Sequence, residues 1–471
     1  MIRYGLLLIV VAACWLSMMT PSAGAAPDRK PNIIYIMADD AGYGDFSCYG
    51  QEKFATPNID RLADEGMKFT DHYSGSTVCA PTRCSLMTGK HTGHCSVRGN
   101  REHKPVGQEP MAADTVTVAD LLKQAGYATG MFGKWGLGFP GSVSDPINSG
   151  FDVFYGYNCQ RNAHNYYTTW LYDNDQKVEL DGKTYSHDLI MAHALQFIRD
   201  NKDQPFFCYL PVTIPHAAMH VPDEYSAPFR KKWPQFDDKI GRYSGPPVKN
   251  PIAAFAGMMT KLDQDVGRVL ALVKELGLDE NTIIMFTSDN GAHQEGGHNP
   301  EFFNSNGPFT GYKRDLTEGG IRAPFLARWP GKIKPGTVSD LISAHWDVLP
   351  TLCELAGVQP PSDIDGISMV PTFTGQGQQK KHDYLYWEFY ERGSKQAVRA
   401  GQWKAIRRPM FTGPVFLYNL DEDIAEQNNL ADKHPDIAQR MTKLMDEAHV
   451  ESPLWKVRAP KKKKPKQQKN P

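Results

Sequence analysis

Cysteine is scarce in this chain, eight residues in 471, so no disulfide scaffold stands in for a packed core. Excess charge of either sign is missing too. Against 53 aspartates and glutamates stand 52 lysines and arginines, and a formal charge of −1 leaves no global field to recruit nucleic acid. No internal repeat is visible, and no apolar run beyond the N-terminal one marks a membrane span. These absences leave a globular protein built on an apolar core, and its length allows two domains.

The N-terminus differs from the rest. Arg3 precedes the apolar run from Leu6 to Leu16, and Ala23-Gly24-Ala25 supplies small residues before the polar Asp28-Arg29-Lys30. We read residues 1–25 as a secretory signal peptide, which places the mature chain in the periplasm or outside the cell. Val11-Ala12-Ala13-Cys14 looks like a lipoprotein box, but apolar residues continue to Met19, which favours ordinary export over anchoring at Cys14. Cleavage leaves Cys48, Cys79, Cys84, Cys95, Cys159, Cys208 and Cys353, an odd set whose pairing the sequence leaves open. At the other end, Lys461 to Lys464 open a Lys/Pro/Gln tail (459–471) without apolar content, read as disordered and solvated.

Between these ends two segments share one grammar. Pro31 to Ala38 runs into Asp39-Asp40, and Asn281 to Ser288 runs into Asp289-Asn290-Gly291. Short β-branched runs bounded by turn residues read as strands buried on both faces, as in a parallel sheet. Helical patterns lie between strand candidates, at Thr56 to Gly66, Val118 to Ala125, Ser186 to Asp200 and Ile252 to Leu276. The alternation predicts an α/β domain over 26–376, with helices sandwiching a mostly parallel or mixed sheet. In such sheets chemistry collects beyond the carboxyl ends of the strands, where both acidic pairs fall. Pro360-Pro361 and Thr372 to Gln379 read as a linker. Four short strand-like runs follow, opening at Tyr384, Ala397, Trp403 and Val415, and then a helix around Ile437 to His449. They predict a small C-terminal α+β domain over 377–458 with a four-stranded antiparallel sheet.

The most specific signal is Cys79-Ala80-Pro81-Thr82-Arg83. Pro81 suits the first turn of a helix, so a helix opening at Thr82 to Met87 would leave Cys79 at its positive end, where a thiol is easily activated. Arg83 adds a planar fork matched to a tetrahedral oxyanion. Asp39, Asp40, Asp289 and Asn290 offer three carboxylates and an amide oxygen, a donor set for a hard cation, Ca²⁺ ahead of Mg²⁺.

With its Cys-x-Pro-x-Arg motif the chain resembles the sulfatase family, a branch of the alkaline phosphatase superfamily. The resemblance implies that a maturation enzyme oxidises Cys79 to formylglycine, the catalytic aldehyde. It implies too that Asp39, Asp40, Asp289 and Asn290 are calcium ligands, with the modified Cys79 touching the same ion. Gly126 to Gly138 resembles the family's second signature, where Lys134 would bind sulfate. His216, at the end of Val212-Thr213-Ile214-Pro215-His216, matches the histidine that contacts sulfate and helps the leaving oxygen depart. Gly311 to Arg322 matches the stretch carrying a second sulfate-binding lysine, Lys313, with Arg314 the rival within the motif. These matches run from Pro31 to about Pro330.

One position departs from the pattern: the family usually has histidine where this chain has Gly136, which leaves the elimination base unassigned among His103, His293 and His298. The implied reaction is hydrolysis of a sulfate monoester. A cationic cradle of Arg83, Lys134 and Lys313 joins the metal, a hydrated aldehyde attacks sulfur with Asp289 as its activator, and His216 is the acid. Arg161, His164, Tyr166, Tyr167, Trp170 and Tyr172 cluster in one stretch and suit stacking on sugar rings, so a sulfated small molecule or glycan is the expected substrate; packing is the other role open to them. Two alternatives stay open, a phosphomonoester or phosphodiester hydrolase of the same superfold and a silent sulfated-glycan-binding protein.

Overall fold

The structure, a computed structural model, describes residues 29–457. The signal peptide and basic tail expected from the sequence lie outside the described residues. Ten strands form one sheet. In chain order they are β1 (Asn32–Ala38), β2 (Met67–Phe69), β3 (Ala128–Lys134), β4 (Val153–Tyr157), β5 (Trp170–Asp173), β6 (Gln176–Glu179), β7 (Phe206–Pro211), β8 (Thr282–Ser288), β9 (Phe325–Arg328) and β10 (Thr337–Ser339). They stand in the order β10-β2-β9-β8-β1-β7-β3-β4-β5-β6. The central strands β8, β1, β7, β3 and β4 are parallel, while β9 runs against β8 and β5 against β4. The sheet is therefore mixed.

Strand β1 shows why the sequence run was apolar without alternation. Successive side chains point to opposite faces, and both faces are covered. Ile34 and Ile36 pack with helices α1 (Pro57–Asp64), α4 (Ser186–Asp200) and α5 (Pro251–Glu275). Ile33, Tyr35 and Met37 pack on the other side with α2 (Cys79–Thr88), α3 (Val118–Gln124) and α6 (Val348–Ala356). Helix α4 has the bounds read from the sequence, and α5 differs by one residue at each end.

A second sheet is an antiparallel meander of β11 (Leu385–Phe389), β12 (Lys395–Ala400), β13 (Trp403–Arg407) and β14 (Val415–Asn419). One face carries Tyr386, Val398, Ala405 and Leu417 against Met441 and Met445 of helix α7 (Pro435–Glu447). The opposite face sets Leu385, Trp387, Phe389 and Ile406 against Tyr73, Val78 and Trp346 of the large sheet's region. Within the expected linker Phe373 is buried, and Gln379 Oε1 accepts hydrogen bonds from Thr372 N and Oγ1. All seven cysteines among the described residues are free thiols.

Candidate active site

The carboxyl ends of β1, β3, β7 and β8 lie side by side because these strands are parallel neighbours, and each delivers one part of the site. Asp39 and Asp40 follow β1, Lys134 ends β3, His216 lies five residues past β7, and Asp289 and Asn290 follow β8. The structure brings together every site residue expected from the sequence, and all are buried.

Helix α2 begins at Cys79 itself, three residues before the expected opening at Thr82, with Pro81 inside its first turn. Cys79 and Arg83 are one turn apart and so share a face. The Cys79 thiol donates to Asp39 Oδ1 at 3.6 Å and stands 3.3 Å from Lys134 Nζ. Lys134 Nζ donates to Asp39 Oδ2 at 2.6 Å. Arg83 Nη2 bridges Asp39 Oδ2 at 3.1 Å and Asp289 Oδ2 at 3.2 Å, and its Nη1 donates to the Lys134 carbonyl. On the far side, Lys313 Nζ donates to Asp40 Oδ2 at 2.6 Å and to His216 Nε2 at 3.1 Å. Arg314 points elsewhere, pairing with Glu295 at 2.8 Å, which settles the geometry between the two motif cations in favour of Lys313 facing the acids.

Electrostatics follow from burying three acids among three bases. Burial alone would raise the Asp39 carboxyl, but neighbouring cations, Lys134 ahead of Arg83, outweigh it and hold its pKa below the usual carboxylate range. Asp40 is held well below the carboxylate range, Lys313 and His293 overcoming burial. Asp289 goes the other way, to about 7, because burial and the Asp39 charge exceed the help from Arg83. The Cys79 thiol is pushed up by burial and by Asp39. That runs against the expectation of an easily activated thiol: the helix N-terminus is there, but burial, with Asp39 beside it, outweighs it.

The oxygen donors fit a hard divalent cation. Asn290 Nδ2 donates to Asp40 Oδ1 at 2.8 Å, while its Oδ1, buried, takes no hydrogen bond. Asp40 N donates to Asp289 Oδ1 at 2.9 Å, which joins the two strand ends. Ligand atoms of Asp39, Asp40, Cys79 and His216 all lie within 4.8 Å of one another. Three carboxylates and an unsatisfied amide oxygen at these strand ends are donors of the kind a hard divalent cation takes.

The other expectations divide. His103 Nε2 bonds Glu109 at 2.8 Å, and both ring nitrogens of the buried His298 lack partners beside Phe255. His293 is the base candidate nearest the acids, within 4.8 Å of Asp40 and Glu295. Gly136 has φ +78, and a Cβ there would meet Gln160 Nε2 at 3.1 Å, so the volume a side chain would need is filled by glutamine. Of the aromatic cluster, His164 stacks flat on His216, with ring centroids 4.4 Å apart. Tyr166 is a packing residue whose hydroxyl donates to the Thr213 and His216 carbonyls at 2.6 and 2.9 Å. Arg161 is exposed and pairs with Glu102. The sequence reading missed Glu295 and Tyr243, which sit beside Lys313 and His216 but come from loops without any motif.

Comparison with known proteins agrees with this geometry. Residues 31–358 match the family model described as Sulfatase, and residues 309–451 match that of the C-terminal region of N-sulphoglucosamine sulphohydrolase. The chain is 33% identical over 412 residues to N-acetylgalactosamine-6-sulfatase of Rattus norvegicus, covering 81% of this chain and 72% of that protein. It is 31% identical over 479 residues to arylsulfatase A of Bos taurus, covering 90% and 88%. Among solved structures, Ps i-CgsB in complex with k-i-k-neocarrahexaose superposes with a TM-score of 0.77 at 29% identity, over 89% of this chain and 92% of that one. The phosphonate monoester hydrolase of Agrobacterium radiobacter, at 20% identity and a TM-score of 0.65, shares the alkaline phosphatase-like fold. A thiol at a helix start, held between a strand-end carboxylate and a lysine, thus occurs in a chain whose sequence matches one family over most of its length: it belongs to the sulfatases, and it is a sulfuric ester hydrolase.

Proposed function

We propose that this enzyme removes sulfate from a sulfated carbohydrate, using a formylglycine made from Cys79 beside a calcium ion. The observation that carries the reading is the placement of Cys79 Sγ, 3.6 Å from Asp39 and 3.3 Å from Lys134, on the helix face that also presents Arg83. Asp39, Asp40, Asp289 and Asn290, with residue 79, would hold the cation, which supplies positive charge for the nonbridging sulfate oxygens when bound. The hydrated aldehyde supplies a hydroxyl for attack on sulfur and a second whose deprotonation frees sulfate.

The chain's own groups do the rest. Lys134, Lys313 and Arg83 are held by buried carboxylates and need no reorganisation to receive an anion. His216 Nδ1 faces the Ala217 carbonyl, which only accepts, so Nδ1 carries the hydrogen and Nε2 presents a lone pair to Lys313. Burial and Lys313 keep this imidazole neutral. An anionic ester beside it offsets the lysine charge, so the ring takes a proton from solvent at Nε2 as substrate binds and gives it to the leaving oxygen, returning to the neutral form. The carbohydrate reading draws on two of the similar proteins, one named N-acetylgalactosamine-6-sulfatase and one solved in complex with k-i-k-neocarrahexaose. Export and a partner enzyme that oxidises Cys79 belong to the same proposal.

Two measurements test it. Mass spectrometry of the peptide spanning residue 79 in active enzyme is expected to show the aldehyde or its hydrate; a plain thiol at full activity rules the mechanism out. A desulfation screen over sulfated mono- and oligosaccharides is expected to release sulfate, and turnover of aryl phosphate alone would reverse the assignment.

A further inference from the structure

Exposed large apolar side chains are few among the described residues, and only two of them, Tyr243 and Phe411, are aromatic. Phe411 packs edge-on against His449 beside the small sheet. Tyr243 stands at the active site. It lies in the turn of a hairpin whose strands, Ile240–Gly241 and Val248–Lys249, pair antiparallel. The hairpin is pinned from both sides. His220 Nε2 donates to the Pro246 carbonyl at 2.9 Å, and a Cβ at Gly241 would fall 2.1 Å from the Gly296 carbonyl, so the strand lies directly on the turn after Glu295.

The ring so placed completes an aromatic wall. His216 and His164 are stacked with an interplanar angle of 2°, and Tyr243 meets both edge-on, at 5.2 Å from His164 and 5.6 Å from His216. His216 Nε2 is in turn 3.1 Å from Lys313 Nζ, so the wall begins where the leaving oxygen of a bound ester would sit. Tyr243 is 43% exposed, and its hydroxyl makes no hydrogen bond among the described residues. Nothing internal explains an aromatic ring held half in water with its polar tip free. Around it the rim is charged: Glu295 pairs with Lys313 and Arg314, and Glu391 faces Arg314.

We propose that Tyr243, backed by His164, is the platform on which the ring of the sulfate-bearing sugar rests. The inference builds on the sulfated-carbohydrate reading above and names the residue that receives the leaving group. A pyranose has an apolar C–H face and a polar edge. One exposed aromatic face beside a charged rim matches that pattern, whereas a wide apolar ligand would need apolar walls on more than one side.

The test compares wild type, Tyr243→Ala and Tyr243→Phe on the sulfated monosaccharide that wild type turns over fastest, with inorganic sulfate as a competitive inhibitor that reports the cradle alone. Tyr243→Ala is expected to raise KM about tenfold, about 1.4 kcal/mol, with kcat within about twofold. Tyr243→Phe, which keeps the ring, shifts KM less than about threefold, and the Ki of sulfate stays within about twofold in both. An unchanged KM in Tyr243→Ala overturns the platform. A sulfate Ki that rises in step with KM overturns it too, because Tyr243 would then be bracing His216. If wild type binds sulfate and cleaves an aryl sulfate but no sulfated sugar, the carbohydrate reading falls and the platform goes with it.

Discussion

Asp289 does two jobs at once: its Oδ1 accepts from Asp40 N, and its Oδ2 from Arg83. With its pKa raised to about 7 by burial and by Asp39, it is the acid that most needs a neighbouring cation. Asp289→Ala is therefore expected to abolish calcium-dependent stabilisation, whereas wild type gains about 2.7 kcal/mol at a hundred times the Kd. Thermal melts with and without calcium check this, and an equal shift in both proteins would contradict the ligand assignment. Cys79 is a test of a different kind. Its side chain is small, buried and bonded only to Asp39 and Lys134, so Cys79→Ser is close to isosteric. Sulfate release should fall by at least about 10³-fold while Tm moves by less than about 3 °C, because on the proposed mechanism the serine hydroxyl replaces the bulk but not the two hydroxyls of a hydrated aldehyde. Turnover near wild type would show that the aldehyde is dispensable.

At the scale of elements, the approach to the small sheet is fastened to the start of α6 by a pair that responds to pH. His382, on the approach to β11, bonds Asp347 at 2.8 and 3.0 Å, and Asp347 also accepts from Ala344 N and Ile367 N. Burial works against the imidazolium, but Asp347 outweighs it and the His382 pKa is raised. A raised histidine contributes its full stability below the unfolded value of about 6.5, and the contribution is lost as pH climbs through the folded value. His382→Gln should thus lie about 1–2 kcal/mol below wild type at acidic pH, and the gap should narrow as the medium turns alkaline. Denaturation across that range decides it; a gap independent of pH would mean the charge plays no part.

Across the whole molecule, the C-terminal sheet reaches into the catalytic half. Trp387 Nε1 donates to the Ser74 carbonyl, and Lys395 Nζ to the Arg314 carbonyl next to Lys313. Lys404 is fully buried between Glu318 at 2.8 Å and Glu426 at 2.9 Å. Lys404→Ala leaves two buried carboxyls facing each other, and a loss of about 3–5 kcal/mol in global stability is expected. Chemical denaturation measures it, and a loss below about 1 kcal/mol would show that this buried pair does little to join the two halves.

Periodicity and short motifs were enough for the elements that carry strong local signals. The buried strands before Asp39 and Asp289 and helix α4 were legible because each is marked by a run or spacing a few residues long, whereas Lys134 and Lys313 came from the resemblance to the family's motifs. Helix α2 was less so: all ten of its residues are buried, so no polar face marks where it begins. The thiol's resistance to ionisation, the filled space beside Gly136, and the wall of His216, His164 and Tyr243 were not legible at all. Each depends on what a distant segment places within a few ångströms. A pKa, a clash or a stacking contact is a property of neighbours in space, and only folding chooses those neighbours.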